Sequence, residues 1–228
     1  MPFELVLPAG AFLAALVVGA AGVGDGVVAA AVWLHVLGPK QAVPLIVATG
    51  IVNHGIALLR LRGELVFTRL WPFLAGAVFG VPVGNWLLGM ADAHVFRNGV
   101  GVLLVVYAAA LLIRPPVAHI SVGGVLGGLA GLAGIVPGVW AGLRGWPKAE
   151  QRGLFQPLIL TVHGMALAWL AWGGLVDATT GRNLLLCLPA VALGAWLGLR
   201  IYGRLDERRF QRIVLAVLLV LGLTLLIF

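Results

Sequence analysis

Asp25 stands inside an apolar stretch, whereas the other seven acidic residues lie in loops or at segment ends. A carboxylate at membrane depth is costly to desolvate and marks a functional site by default. It can carry a proton, bind a cation or cap a half-helix, and plain N-capping is the bland alternative. His54 and His163 fall near the middle of two apolar segments. A neutral imidazole donates to an oxyanion and a protonated one pairs with it. The alternative for both is a hydrogen-bonded packing histidine facing a bundle interior. Thr49 and Asn53 share one helical face and add donors near His54. Gln156 lies two turns before His163 on the same face.

Anion chemistry also needs a receptor in the backbone, and two glycine clusters supply candidates. Residues 5–37 form an apolar stretch of 33, interrupted by Gly19, Gly22, Gly24, Asp25 and Gly26. Residues 118–143 are interrupted by Gly131, Gly134, Pro137 and Gly138. Glycine costs about 1 kcal/mol in a helix interior and proline about 3, so each stretch is read as two half-helices meeting at a break. A half-helix starting inside the membrane presents unpaired N–H groups and the positive end of its dipole, which is a receptor for an anion. Gly22, Gly24 and Gly26 would line the first break. Gly134 and Gly138 would line the second, with Pro137 suited to a first helical turn. The plain alternative for such glycines is close helix packing, which is the reading for Gly76, Gly80 and Gly84 and for Gly194 and Gly198.

The elements that position these residues follow from composition. With 61% hydrophobic residues, 10% charged residues and a mean hydropathy of +1.09, the chain lacks the polar surface of a soluble domain. The bilayer is its solvent, at about 20 apolar residues per span. The net charge of +7 is spread over short loops, where it sets orientation, so no nucleic-acid module is indicated. The first segment lacks a basic n-region and a cleavage site, so it is read as retained structure. Cys187, the single cysteine, rules out a disulfide within the monomer. No His-Glu-x-x-His, Walker loop, dinucleotide fingerprint or cysteine cluster is present. Catalytic residues, a metal and a cofactor are therefore not expected.

The chain also repeats itself. His54-Gly55-x-Ala57-Leu58 recurs as His163-Gly164-x-Ala166-Leu167, and Gly84-x-Trp86-Leu87 as Gly194-x-Trp196-Leu197. Asp92-x3-Phe96 recurs as Asp206-x3-Phe210, and Gly19-x-Ala21-Gly22 as Gly128-x-Ala130-Gly131. These matches keep their order at offsets of 109 to 114 residues, the mark of a duplicated transporter. If each broken segment returns to the side it entered, twelve basic residues gather on one face and three on the other. Three full spans then follow each hairpin, and an odd number of crossings inverts the second copy. The expected fold is an all-α polytopic membrane protein of two inverted repeats, each a broken or re-entrant hairpin plus three transmembrane helices. The first repeat is 1–114, with hairpin 5–37 and spans 42–59, 70–90 and 95–113. The second is 115–228, with hairpin 118–143 and spans 154–172, 183–203 and 210–228. Basic loops face the cytoplasm.

This pattern resembles the sulfite exporter TauE/SafE family, also called the toluene-sulfonate uptake permease family, over almost the whole chain. The resemblance rests on Gly22-Val23-Gly24-Asp25-Gly26 at a broken first segment, on Pro39 and Ala42 before the second span, and on a glycine-rich third span. The Gly128–Gly138 stretch restarts the pattern, and Gly194-x-Trp196-Leu197-Gly198 closes it. The resemblance implies a carrier of sulfur-containing or related organic anions in the bacterial inner membrane. Family members commonly read Gly-x-Gly-Gly-Gly at both breaks. Here Asp25 takes the fourth position, and the second copy reads Gly134-Ile135-Val136-Pro137-Gly138.

The expected function is a secondary transporter that exports sulfite or a short sulfonate, held at half-helix N-termini near the midplane. Its partners are that anion, the lipid bilayer and, if coupled, protons at Asp25; the oligomeric state stays open. Two other readings compete. An anion channel uses the same half-helices. An intramembrane aspartyl peptidase is suggested by Gly22-x-Gly24-Asp25, but that chemistry needs a second carboxylate, and none lies in an apolar segment.

Overall fold

The computed structural model describes residues 3–60, 70–90, 92–113, 148–201 and 207–227. Regular structure among them is entirely helical: α1 (Phe3–Ala21), α2 (Asp25–Trp33), α3 (Pro39–Arg60), α4 (Trp71–Met90), α5 (Ala93–Ile113), α6 (Lys148–Trp172), α7 (Ala178–Ile201) and α8 (Glu207–Ile227). Four of these, α3, α4, α6 and α7, are long and apolar enough to cross a membrane. Large apolar side chains such as Phe79, Trp86, Leu185 and Leu193 are exposed, as lipid-facing surface requires. Trp71 and Trp172, at helix ends, are exposed too, where indoles favour the membrane–water boundary. The chain is a multi-pass membrane protein.

Several helices start before the apolar runs that announce them. α6 begins at Lys148 instead of 154, and α7 at Ala178 instead of 183. Lys148, Ala149, Glu150 and Gln151 are strong helix formers, so the polar lead-in joins the helix. Asp177 opens α7: its Oδ1 accepts the Thr180 N–H at 2.8 Å and the Thr180 hydroxyl at 2.9 Å. The first of these bonds holds the Asp177 carboxyl below its ordinary range. Asp92 opens α5, its Oδ1 accepting the His94 N–H at 2.8 Å.

The first broken segment is a hairpin. α1 ends at Ala21, α2 starts at Asp25, and the indole of buried Trp33 donates to the Leu7 carbonyl at 3.1 Å. Since Trp33 ends α2 and Leu7 lies early in α1, the chain has turned back along itself. The second expected hairpin, 118–143, lies outside the described residues.

Helix directions follow from residue contacts. Gly194 of α7 packs on Phe12 and Ala15 of α1, and Gly198 on Leu16 and Gly19, so these helices run parallel. A Cβ at either glycine would overlap α1 backbone, so the small residues set the approach. A Cβ at Gly76 would meet nothing within 4 Å among the described residues. α3 and α6 run antiparallel, with Gly50 beside His163 and His54 beside Gln156. α5 and α8 also run antiparallel, with Gly101 on Leu226 and Gly222 on Leu104. Following these directions, Lys40, Arg97 and Arg182 gather at one end of the bundle. Arg60, Lys148, Arg152 and Arg200 gather at the other.

Candidate functional site

The site forms where α1 stops and α2 starts. Gly22 and Gly24 take φ values of +90° and +104°, backbone that only glycine adopts without strain. The Val18 carbonyl still accepts the Gly22 N–H at 2.7 Å, but the turn takes the Gly19 and Gly22 carbonyls out of the helical pattern. Two side chains from the first turns of α6 meet them. Arg152 donates through Nη2 to the Gly19 carbonyl at 2.6 Å, and Gln156 through Nε2 to the Gly22 carbonyl at 2.9 Å. A cation at that helix terminus also opposes the negative end of its dipole.

Gln156 passes the order on. Its amide nitrogen faces a carbonyl, which can only accept, so its Oε1 faces His54 Nδ1, at 2.5 Å. His54 Nδ1 therefore carries a proton. The other ring nitrogen, Nε2, lies 3.1 Å from Asp25 Oδ1. A neutral imidazole protonated at Nδ1 has only a lone pair at Nε2, and two lone pairs do not hold at that distance. A proton sits between His54 and Asp25. Asp25 is 4% exposed, and His54 and Gln156 are fully buried.

Gly24 is the N-cap of α2 and Asp25 its first residue, and Asp25 Oδ1 meets His54. The capping alternative therefore gives way to the pairing with His54. Asp25 Oδ2 has no hydrogen-bond partner among the described residues. His163, from α6, is fully buried against this pair, its ring 5.9 Å from that of His54 at 69°. The two histidines that match across the repeat thus meet. One ligand atom from each of Asp25, His54 and His163 lies within 4.8 Å of the others.

The remaining sequence candidates divide. The Thr49 hydroxyl donates back to the Leu45 and Ile46 carbonyls, at 2.8 and 3.1 Å, so its proton is spent within α3. Asn53 is 2% exposed, and neither atom of its amide has a partner among the described residues. Gly26 is buried in the first turn of α2. Gly134, Pro137 and Gly138 lie outside the described residues. Measured along α3, His54 beside the break lies about 22 Å from the start of a helix of about 33 Å, nearer the end where α6 begins.

Two residues escape a reading of the sequence. Arg152 counts there as a loop charge, yet it is 7% exposed at the break. Asn85 on α4 is 5% exposed, and neither atom of its amide has a partner among the described residues. Its neighbour Gly84 carries the repeat signal, and nothing marks Asn85 itself.

A family model described as sulfite exporter TauE/SafE matches residues 7–225, nearly the whole chain. No curated protein and no solved structure matches it.

Proposed function

Because the chain belongs to the sulfite exporter TauE/SafE family, we propose that it is a secondary transporter exporting a small sulfur-containing or organic anion. Sulfite or a short sulfonate, leaving across the bacterial inner membrane, is the specific expectation. The observation that carries this reading is the break itself. Two left-handed glycines end one helix and open another inside the bundle, and Arg152, Gln156, His54 and Asp25 converge there, all buried. The amide end of α2 attracts negative charge, and Arg152 adds a full positive charge beside it. The shared proton makes Asp25 and His54 neutral as a pair, which removes the repulsion a bare carboxylate would exert on an anion.

Since the break is displaced toward the basic end, the anion enters from that side, the cytoplasm in this reading. Moving one negative charge out of an inside-negative compartment is favoured by about 2.3 kcal/mol per 100 mV. Export therefore needs no coupling ion, and a proton-coupling role for Asp25 belongs to the uptake direction. The peptidase alternative loses its footing: the titratable groups gathered around Asp25 are two histidines, with no second carboxylate among the described residues.

Reconstituted vesicles loaded with labelled sulfite or a short sulfonate test the proposal. An imposed inside-negative potential should drive saturable efflux, and unlabelled anion outside should produce counterflow. Non-saturating flux without counterflow would make the protein a channel. Absence of flux for every such anion would remove the substrate class.

A further inference from the structure

We propose that Asp25, His54 and His163 form a binding site for a single divalent metal ion of the borderline class, such as zinc or cobalt. The three residues come from α2, α3 and α6, so no metal-ligand motif in the sequence announces them. Four observations meet here. The donor set, two imidazoles and a carboxylate, suits such ions. The ligand atoms already lie within 4.8 Å of one another, and closing to the spacing of about 3.3 Å found around a four-coordinate zinc takes small side-chain rotations. Asp25 Oδ2 is buried without a hydrogen-bond partner among the described residues. Gly50 keeps the space open: a Cβ there would overlap the His163 ring at Nδ1 and stand 3.1 Å from Asp25 Oδ2.

The hydrogen-bond chain prepares one of the ligands. Gln156 fixes one proton of His54 on Nδ1, so once the proton shared with Asp25 leaves, Nε2 offers its lone pair toward Asp25. That is the tautomer a metal-binding imidazole needs, and a second partner holding the other nitrogen is how such ligands are oriented. The metal ion takes the place of the shared proton, which leaves with buffer as the ion enters. Three protein ligands leave a fourth position open on a site of net positive charge. The site shares Asp25 and His54 with the anion reading, but its assay contains no transported anion, so the two proposals fail separately.

The assay uses the full chain purified in detergent, stripped with chelator, with His35→Ala and His94→Ala removing two exposed histidines. Titrated cobalt should bind once per chain with the visible absorption of a four-coordinate site, and zinc should displace it. Asp25→Asn and His163→Gln should abolish the band, and Gln156→Ala should weaken binding about 10- to 100-fold. His163→Gln leaves the Gly22–Gln156–His54–Asp25 chain intact, so it decides the matter even where Asp25→Asn does not fold. A chain that shows no cobalt band, or one that persists unchanged in His163→Gln, overturns the proposal.

Discussion

At the scale of single residues, Asn53 separates a working site from a merely packed one. A buried amide without partners costs about 1–3 kcal/mol, and an apolar residue of similar shape relieves that cost. Asn53→Leu should therefore leave the protein as stable, or up to about 2 kcal/mol more stable, while anion affinity falls. Thermal unfolding in detergent and anion binding together check this; unchanged affinity would return Asn53 to the packing. Gln156 is the opposite case. Gln156→Ala strands the Gly22 carbonyl and His54 Nδ1 at once, so a loss of about 1–3 kcal/mol is expected from the same unfolding measurement. Asp25, His54, His163 and Gln156 were legible from residue type in an apolar run. Their mutual contacts were not: the His54–Gln156 bond spans 102 residues, and no helical periodicity encodes a pairing across that separation. Arg152 was misread because a charge at the edge of an apolar run looks like a loop charge until the fold turns it inward.

At the scale of elements, the α1–α2 hairpin depends on two glycines in different surroundings. A Cβ at Gly22 would stand 3.2 Å from Arg152 Cγ, whereas one at Gly24 would meet only Val17 Cγ1 at 3.4 Å. Left-handed backbone costs a non-glycine residue about 1–2 kcal/mol. Gly24→Ala should lose roughly that amount of stability by strain alone, read by thermal unfolding. Gly22→Ala should lose more, because it also presses on the residue that caps α1. Equal losses in the two variants would mean that the Arg152 contact yields freely. The break was legible because its glycines sit in a run too long for one span, and so was the existence of the described helices. Their starts were less so, since hydropathy marks the lipid-facing part of a helix and misses a polar first turn such as Lys148–Gln151.

At the scale of the whole molecule, the antiparallel pairs α3–α6 and α5–α8 join segments that match across the internal repeat. An inverted repeat with its axis in the membrane plane would bring equivalent helices together in this way, with the axis passing near the meeting of His54 and His163. The same directions separate the basic residues, with Lys40 and Arg182 at one end and Arg200 at the other. On the proposed orientation, which follows the positive-inside bias, the Arg200 end faces the cytoplasm. Cysteine labelling tests this in one background, because the native Cys187 is fully buried and should stay silent. Lys40→Cys and Arg182→Cys, both at exposed positions, should react in intact cells with a thiol reagent that cannot cross the membrane. Arg200→Cys, also exposed, should react only after the cells are opened. If Arg200→Cys is the one labelled from outside, the export direction argued from the basic end is reversed. If Lys40→Cys and Arg182→Cys differ from each other, the re-entrant second hairpin expected over 118–143 fails, because α3 and α7 would then start on opposite sides.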